Sequence, residues 1–105
     1  MHVQVVNFQL KGIDDAGFRA MCDQLAPAFE NVPGMHAKIW LADPATNTYG
    51  GVYTWRDRGA MEEYARSDLF KAVLTHPNFA DVTSRDYEVL DGPTAVTRGA
   101  PLARV

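Results

Sequence analysis

The sequence predicts an α+β fold, a four-stranded antiparallel sheet with helices on one face, and three observations carry that prediction. The stretch Pro33 to Asp57, PGMHAKIWLADPATNTYGGVYTWRD, holds two runs of period-two alternation, His36–Leu41 and Tyr49–Trp55, on either side of the turn-rich Asp43-Pro44-Ala45-Thr46-Asn47-Thr48. Proline presets φ, and Asp and Asn bond nearby backbone and tolerate left-handed geometry, so the two strands pair as an antiparallel hairpin. Ahead of the hairpin lie an alternating run and an amphipathic helical stripe, and behind it more helical periodicity and a last alternating run. The order is strand, helix, strand, strand, helix, strand, which in a small domain gives the ferredoxin-like βαββαβ plan.

His2–Leu10 is the first strand, with Val3, Val5 and Asn7 on one face and Val6, Phe8 and Leu10 on the other. Lys11-Gly12 forms a loop. Asp14 is an N-cap whose carboxylate can accept from the free amides of the next turn, with Ile13 and Phe18 as a hydrophobic staple. Phe18, Met21, Cys22, Leu25 and Phe29 then follow a helical stripe that buries one side. Pro27 removes a donor and crowds the preceding turn, so a kink or a weakened last turn is expected before Val32-Pro33-Gly34 ends the helix. After the hairpin, Asp57 caps a helix carrying Met61, Tyr64 and Ala65, and Ser67 caps another carrying Leu69, Phe70, Val73 and Leu74. Pro77 disfavours helical geometry at His76, which ends that piece near Thr75. The last strand is expected over Val82–Leu90.

A chain of 105 residues that is 47% hydrophobic builds one main core. The domain is expected over residues 1–92, with an extended C-terminal tail over 93–105. Ten Lys plus Arg against thirteen Asp plus Glu give a formal charge of −3 and no basic stripe, which sets nucleic acid aside as a partner. The single Cys22 can make no intramolecular disulfide, and Met-His-Val-Gln-Val-Val lacks the basic region and apolar run of a secretion signal, so a cytoplasmic location is expected. No apolar run approaches the ~20 residues that span a bilayer, so no membrane association is expected.

With helices on one face, the other face of the sheet stays uncovered, yet both faces of the first strand carry apolar side chains. A homodimer packing sheet to sheet answers this best, because large apolar patches are rare on monomers. The alternative is a monomer whose tail folds across the open face.

The segment PGMHAKIWLADPATNTYGGVYTWRD, with Ala60-Met61-Glu62-Glu63-Tyr64 after it, resembles the YdhR family of putative monooxygenases in the dimeric α/β-barrel superfamily. Lys38-Ile39-Trp40, Gly50-Gly51-Val52-Tyr53 and the PGM turn are the most specific parts. The resemblance implies a ferredoxin-like dimer in a superfamily that includes cofactor-independent oxygenases of aromatic polyketides, haem-degrading enzymes and proteins with non-oxidative roles.

Asn7 and His76 are the candidate catalytic residues. A carboxamide among Val3, Val5 and their neighbours needs hydrogen-bond partners, which either the fold or a ligand supplies. The resemblance adds that an Asn at this point of the first strand often orients substrate or dioxygen. His76 lies at a helix end with a pKa range suited to a general base, or else caps that helix or faces water. Trp40, Tyr53, Trp55 and Tyr64 are the candidate substrate-binding residues, able to build a flat pocket for an aromatic or hydrophobic small molecule, or simply to fill the core. Lys38, in step with His36 and Trp40, is expected as a snorkelling surface residue rather than a charge facing an anionic substrate. His36 and His2 have no identifiable partners, and Arg85 and Asp86 point to opposite faces as edge or interface charges. Gly50-Gly51 opens a strand, so it marks a close backbone approach or a bulge and not a phosphate cradle. The chain has no HExxH, paired CxxC, GxGxxG or GxSxG motif, so no metal site is expected.

The expected function is that of a cofactor-independent monooxygenase acting on an electron-rich aromatic or polyketide-like substrate. Alternatives are a non-catalytic ligand-binding or stress-associated dimer, or a non-oxidative cyclase or isomerase in the same cleft. Asn7 and Ser67–Ala72 also resemble the haem-degrading branch, but the haem-ligating histidine of that branch falls at Leu74 and its ring-distorting tryptophan at Tyr64. No haem, and no other cofactor, is therefore expected.

Overall fold

A computed structural model describes residues 1–99. The elements are β1 (His2–Leu10), α1 (Asp15–Phe29), β2 (Met35–Asp43), β3 (Thr48–Trp55), α2 (Arg58–Ala65), α3 (Asp68–Leu74), β4 (Phe79–Glu88) and α4 (Asp91–Val96). The four strands form one antiparallel sheet in the order β2-β3-β1-β4, which is the expected ferredoxin-like α+β topology.

Three helices begin where their capping chemistry places them. Side-chain oxygens accept from Gly17 N at Asp14 (2.8 Å), from Ala60 N at Asp57 (2.8 Å) and from Phe70 N at Ser67 (3.2 Å). Each such cap satisfies an amide that the helix itself leaves unpaired, typically worth ~1 kcal/mol. Helix α1 runs through Pro27 and closes with short-range bonds, Glu30 N to Pro27 O at 3.3 Å and Val32 N to Phe29 O at 3.4 Å. Proline near a helix end removes one donor without breaking the turns before it.

Strand β4 begins at Phe79, three residues before the expected start, because Phe79 stacks on Phe8 (centroids 4.1 Å apart) and pairs with Leu10. It ends at Glu88, since Leu90 already serves as the N-cap of α4. That short helix occupies the start of the expected tail, and residues 100–105 of the tail lie outside the described residues.

The core lies between the helices and one face of the sheet. Val6 and Phe8 of β1, Tyr49, Tyr53 and Trp55 of β3, Phe18 and Phe29 of α1, and Met61, Tyr64 and Phe70 of the later helices are all buried in one cluster. The opposite face carries Val3, Val5 and Asn7 with their partners Thr54, Val52 and Gly50, and none of the described helices contributes its buried side chains to it. On it Ile39 is 58% and Tyr87 51% exposed.

The expected close approach at Gly50-Gly51 is present. Gly50 has φ +151°, a region open to glycine, and a Cβ there would overlap the Val6 carbonyl oxygen across the ladder. At Gly51 a Cβ would stand 3.1 Å from Lys38 Cε, so the missing side chain is what makes room for the lysine stem.

Candidate functional site

Alternation along β2 and β3 turns Lys38, Trp40, Gly51 and Tyr53 toward the helices, and Lys38 pairs with Tyr53 while Trp40 pairs with Gly51. Helix α1 lays Phe29 against Trp40 edge-on, with centroids 5.5 Å apart at 85°. Between these elements lies a cavity of about 30 Å³ lined by Val6, Phe18, Phe29, Lys38, Trp40 and Tyr53, among others. Phe29, Lys38 and Trp40 also line an outer groove of about 500 Å³ between α1 and β2, so these three side chains separate the interior from solvent.

Lys38 is not the surface residue the sequence suggested. Its Nζ lies 3.4 Å from the Phe29 ring centroid, 3.6 Å from that of Trp40 and 4.8 Å from that of Tyr53. The rings attract a cation through their quadrupoles. Burial nonetheless disfavours the charged amine and pushes its pKa down to about 7, with the Cys22 thiol opposing only weakly. The signal that could have found it was its phase: Lys38 alternates in step with Trp40 on a strand whose neighbour offers glycine at position 51.

Of the expected binding aromatics, Trp40 and Tyr53 line the cavity, whereas Trp55 and Tyr64 form its support. Tyr53 and Trp55 stack with centroids 5.8 Å apart at 7°, and Trp55 Nε1 donates to Gln4 Oε1 at 3.1 Å. Gln4 Nε2 in turn donates to Ser84 Oγ at 2.9 Å, which satisfies the buried carboxamide. The Tyr53 and Tyr64 hydroxyls are 3.1 Å apart and buried together. Burial pushes the Tyr53 phenol up to about 12, eased by its bond to Tyr64, and raises the Tyr64 phenol further through burial and the Tyr53 contact.

Asn7 and His76 do not meet. Asn7 stands on the uncovered face of the sheet, where its Nδ2 donates to the Tyr49 carbonyl at 3.4 Å. His76, after α3, stacks on Phe79 (centroids 4.4 Å) and accepts from Asn78 N through Nδ1 at 3.1 Å. Neither lines the enclosed cavity.

The other histidines differ from each other. His2, for which the sequence offered no partner, lies with Nε2 2.6 Å from Asp86 Oδ2. His36 lines the outer groove, and its Nδ1 is buried without a hydrogen-bond partner among the described residues.

Leu74, where the resemblance to the haem-degrading branch puts the ligating histidine, has no lone pair to offer, and His76 stacks on Phe79 with its Nδ1 accepting from Asn78 N. No group of three or more His, Cys, Asp or Glu side chains that could hold a metal occurs among the described residues.

Several solved structures share this fold. A putative antibiotic biosynthesis monooxygenase from Deinococcus radiodurans is 19% identical with a TM-score of 0.68, the match covering 85% of this chain and 92% of that one. The heme-degrader MhuD from Mycobacterium tuberculosis, with two hemes bound in its active site, is 19% identical with a TM-score of 0.69 over 86% of this chain and 96% of its own. SnoaB, a cofactor-independent oxygenase from Streptomyces nogalater, is 20% identical with a TM-score of 0.64 over 85% of this chain and 93% of its own. No curated protein sequence matches. The family described as "Putative mono-oxygenase ydhR" matches residues 3–100, nearly the whole chain, and the protein belongs to that family.

Proposed function

We propose that the protein is a cofactor-independent monooxygenase of an electron-rich aromatic or polyketide-like small molecule, bound where the outer groove meets the aromatic cavity. The observation that carries this reading is the edge-on pair Phe29 and Trp40 on the wall of the outer groove of about 500 Å³, with the enclosed aromatic cavity behind it. Flat rings stack on such walls, and exclusion of water there favours electron transfer from a bound phenolate or enolate to dioxygen. For an anthrone the balance closes without a cofactor: the methylene becomes a carbonyl, dioxygen supplies that oxygen, and its second atom leaves as water. Phe29 and Trp40 hold the ring system, while Tyr53, stacked on Trp55 and bonded to Tyr64, backs them from the core.

Dioxygen uptake with anthrones and hydroquinones tests the reading. Uptake matching product one to one, weakened at least tenfold in Trp40→Ala, is the expected result. Uptake at the uncatalysed rate would overturn it. Tight ligand binding without turnover would then mark a binding protein, and turnover in the absence of dioxygen a cyclase or isomerase.

We further propose that the protein works as a homodimer joined through the uncovered sheet face. Val3, Val5, Ile39, Val52 and Tyr87 offer it an apolar surface, and the buried Thr54 hydroxyl on that face has no partner among the described residues. Cys22 is a free thiol, which suits the reducing cytoplasm we assign to it. No described helix is long and apolar enough to cross a membrane.

A further inference from the structure

Lys38 enters an aromatic interior compensated by rings alone. Among the described residues it forms no ion pair, and the Tyr53 hydroxyl above the same cavity is already engaged by Tyr64. A lysine in such a place is expensive to keep, because burial penalises its charge and the rings return only part of the lost hydration. The fold nevertheless makes room for it: Gly51 removes the side chain that would crowd its stem, and α1 brings Phe29 over its amine. Lys38 also stands at the boundary where the groove meets the cavity, within reach of anything entering.

We propose that Lys38 takes the proton from an acidic phenol or enol arriving through the outer groove, and that the ammonium so formed holds the resulting phenolate or enolate against Trp40 and Phe29. The step balances: the ligand O–H bond breaks, an N–H bond forms, and a neutral pair becomes an ion pair of zero net charge. In a space this dry the pair gains more from its charge-assisted hydrogen bond than it would in water. The amine's pKa near 7 leaves a substantial neutral fraction to act as the base, and the arriving anion restores the charged form. The substrate class is thereby narrowed to aromatics bearing an acidic hydroxyl or an enolisable ketone.

The groups that face this amine are few. From α1 come the Cys22 thiol, held protonated by burial, and, along the groove, the carboxylates of Asp23 and Glu30. From β2 comes His36, which lines the groove while its Nδ1 is buried without a partner among the described residues. From β3 comes Tyr53, whose raised pKa keeps it neutral below about pH 12.

This inference rests on the reading of the site as one for aromatic small molecules, and the test is a binding measurement so that the two can fail separately. The probe is 4-nitrophenol, whose anion is yellow and whose neutral form is not. With the whole protein under anaerobic conditions, the bound probe is expected to be more fully ionised than free probe at the same pH. Lys38→Met, which keeps the stem and removes the charge, should bind at least tenfold more weakly and lose the excess colour. Lys38→Arg should keep the anion bound but abolish proton uptake by the protein, because guanidinium stays charged. Equal colour and affinity in wild type and Lys38→Met, or no excess ionisation in wild type, would overturn the assignment. Bound phenolate without dioxygen uptake from any substrate would leave Lys38 its role and remove the oxygenase. Uptake unchanged in Lys38→Met would do the reverse.

Discussion

The hydroxyls of Tyr53 and Tyr64 lie 3.1 Å apart in the core, each the other's hydrogen-bond partner. Removing one strands the other in an apolar site, a loss of ~1–3 kcal/mol, whereas removing both leaves nothing unsatisfied. Tyr53→Phe and Tyr64→Phe should each lower stability by that amount, and the double variant should recover most of it. Chemical denaturation of the four proteins measures this coupling, and additive losses would show that the two hydroxyls do not depend on one another.

Lys38 should make stability rise with pH through the neutral range. Its folded-state pKa is depressed to about 7, below the ~10.4 of an unfolded lysine, so between these values the unfolded chain binds more protons. The burden of the buried charge is therefore full below pH 7 and is relieved as pH rises, with a slope approaching ~1.4 kcal/mol per pH unit. Above pH 10 the raised pKa values of Tyr53 and Tyr64 reverse the trend, because only the unfolded chain then loses those protons. Denaturation midpoints between pH 6 and 9.5 should climb in the wild type and be flatter in Lys38→Met. Parallel profiles would show that the amine is charged and well solvated throughout.

The strands, caps and helix stripes were legible because each is a local signal: period-two alternation, Asp14, Asp57 and Ser67 before apolar runs, and turn residues between the hairpin strands. Parity along β1 also put Asn7 with Val3 and Val5, but parity cannot say which face the helices cover, so Asn7 could be offered as a catalytic residue without its face being known; it stands on the open side. Lys38 was hidden for a related reason. Its burial depends on Phe29 from α1 and on the space left by Gly51 of β3, relations that exist only after the chain has folded. His2 likewise finds Asp86 from across the whole length of the chain.

Gly50 and Gly51 should respond differently to the same added methyl. At Gly50 the methyl would meet the Val6 carbonyl with the backbone held at φ +151°, and neither can yield without breaking the β1–β3 ladder. Gly50→Ala should cost more than ~2 kcal/mol or prevent folding. At Gly51 one close neighbour is Lys38 Cε, part of a flexible stem, although the Ile39 carbonyl at 3.2 Å is not. Gly51→Ala should fold with a smaller loss and displace the amine, visible as a changed Lys38 titration by NMR. Equal losses at both positions would mean that the lysine stem has no freedom to move.

Val3, Val5, Ile39 and Val52 give the uncovered sheet face an apolar centre. Val52 sits at its middle, paired with Val5 on one side and Ile39 on the other, so a charge there would be buried in any sheet-to-sheet dimer but harmless on a free surface. An obligate interface of this kind buries roughly 2,000 Å² or more in total, and a subunit deprived of it is left with an apolar patch larger than stable monomers carry. Val52→Glu should therefore abolish the dimer and lower the unfolding midpoint sharply, while dilution of the wild type should lower its midpoint in proportion to the logarithm of concentration. Sedimentation giving a monomer mass for the wild type at micromolar concentration, with a midpoint indifferent to dilution and to Val52→Glu, would show that the face needs no second copy.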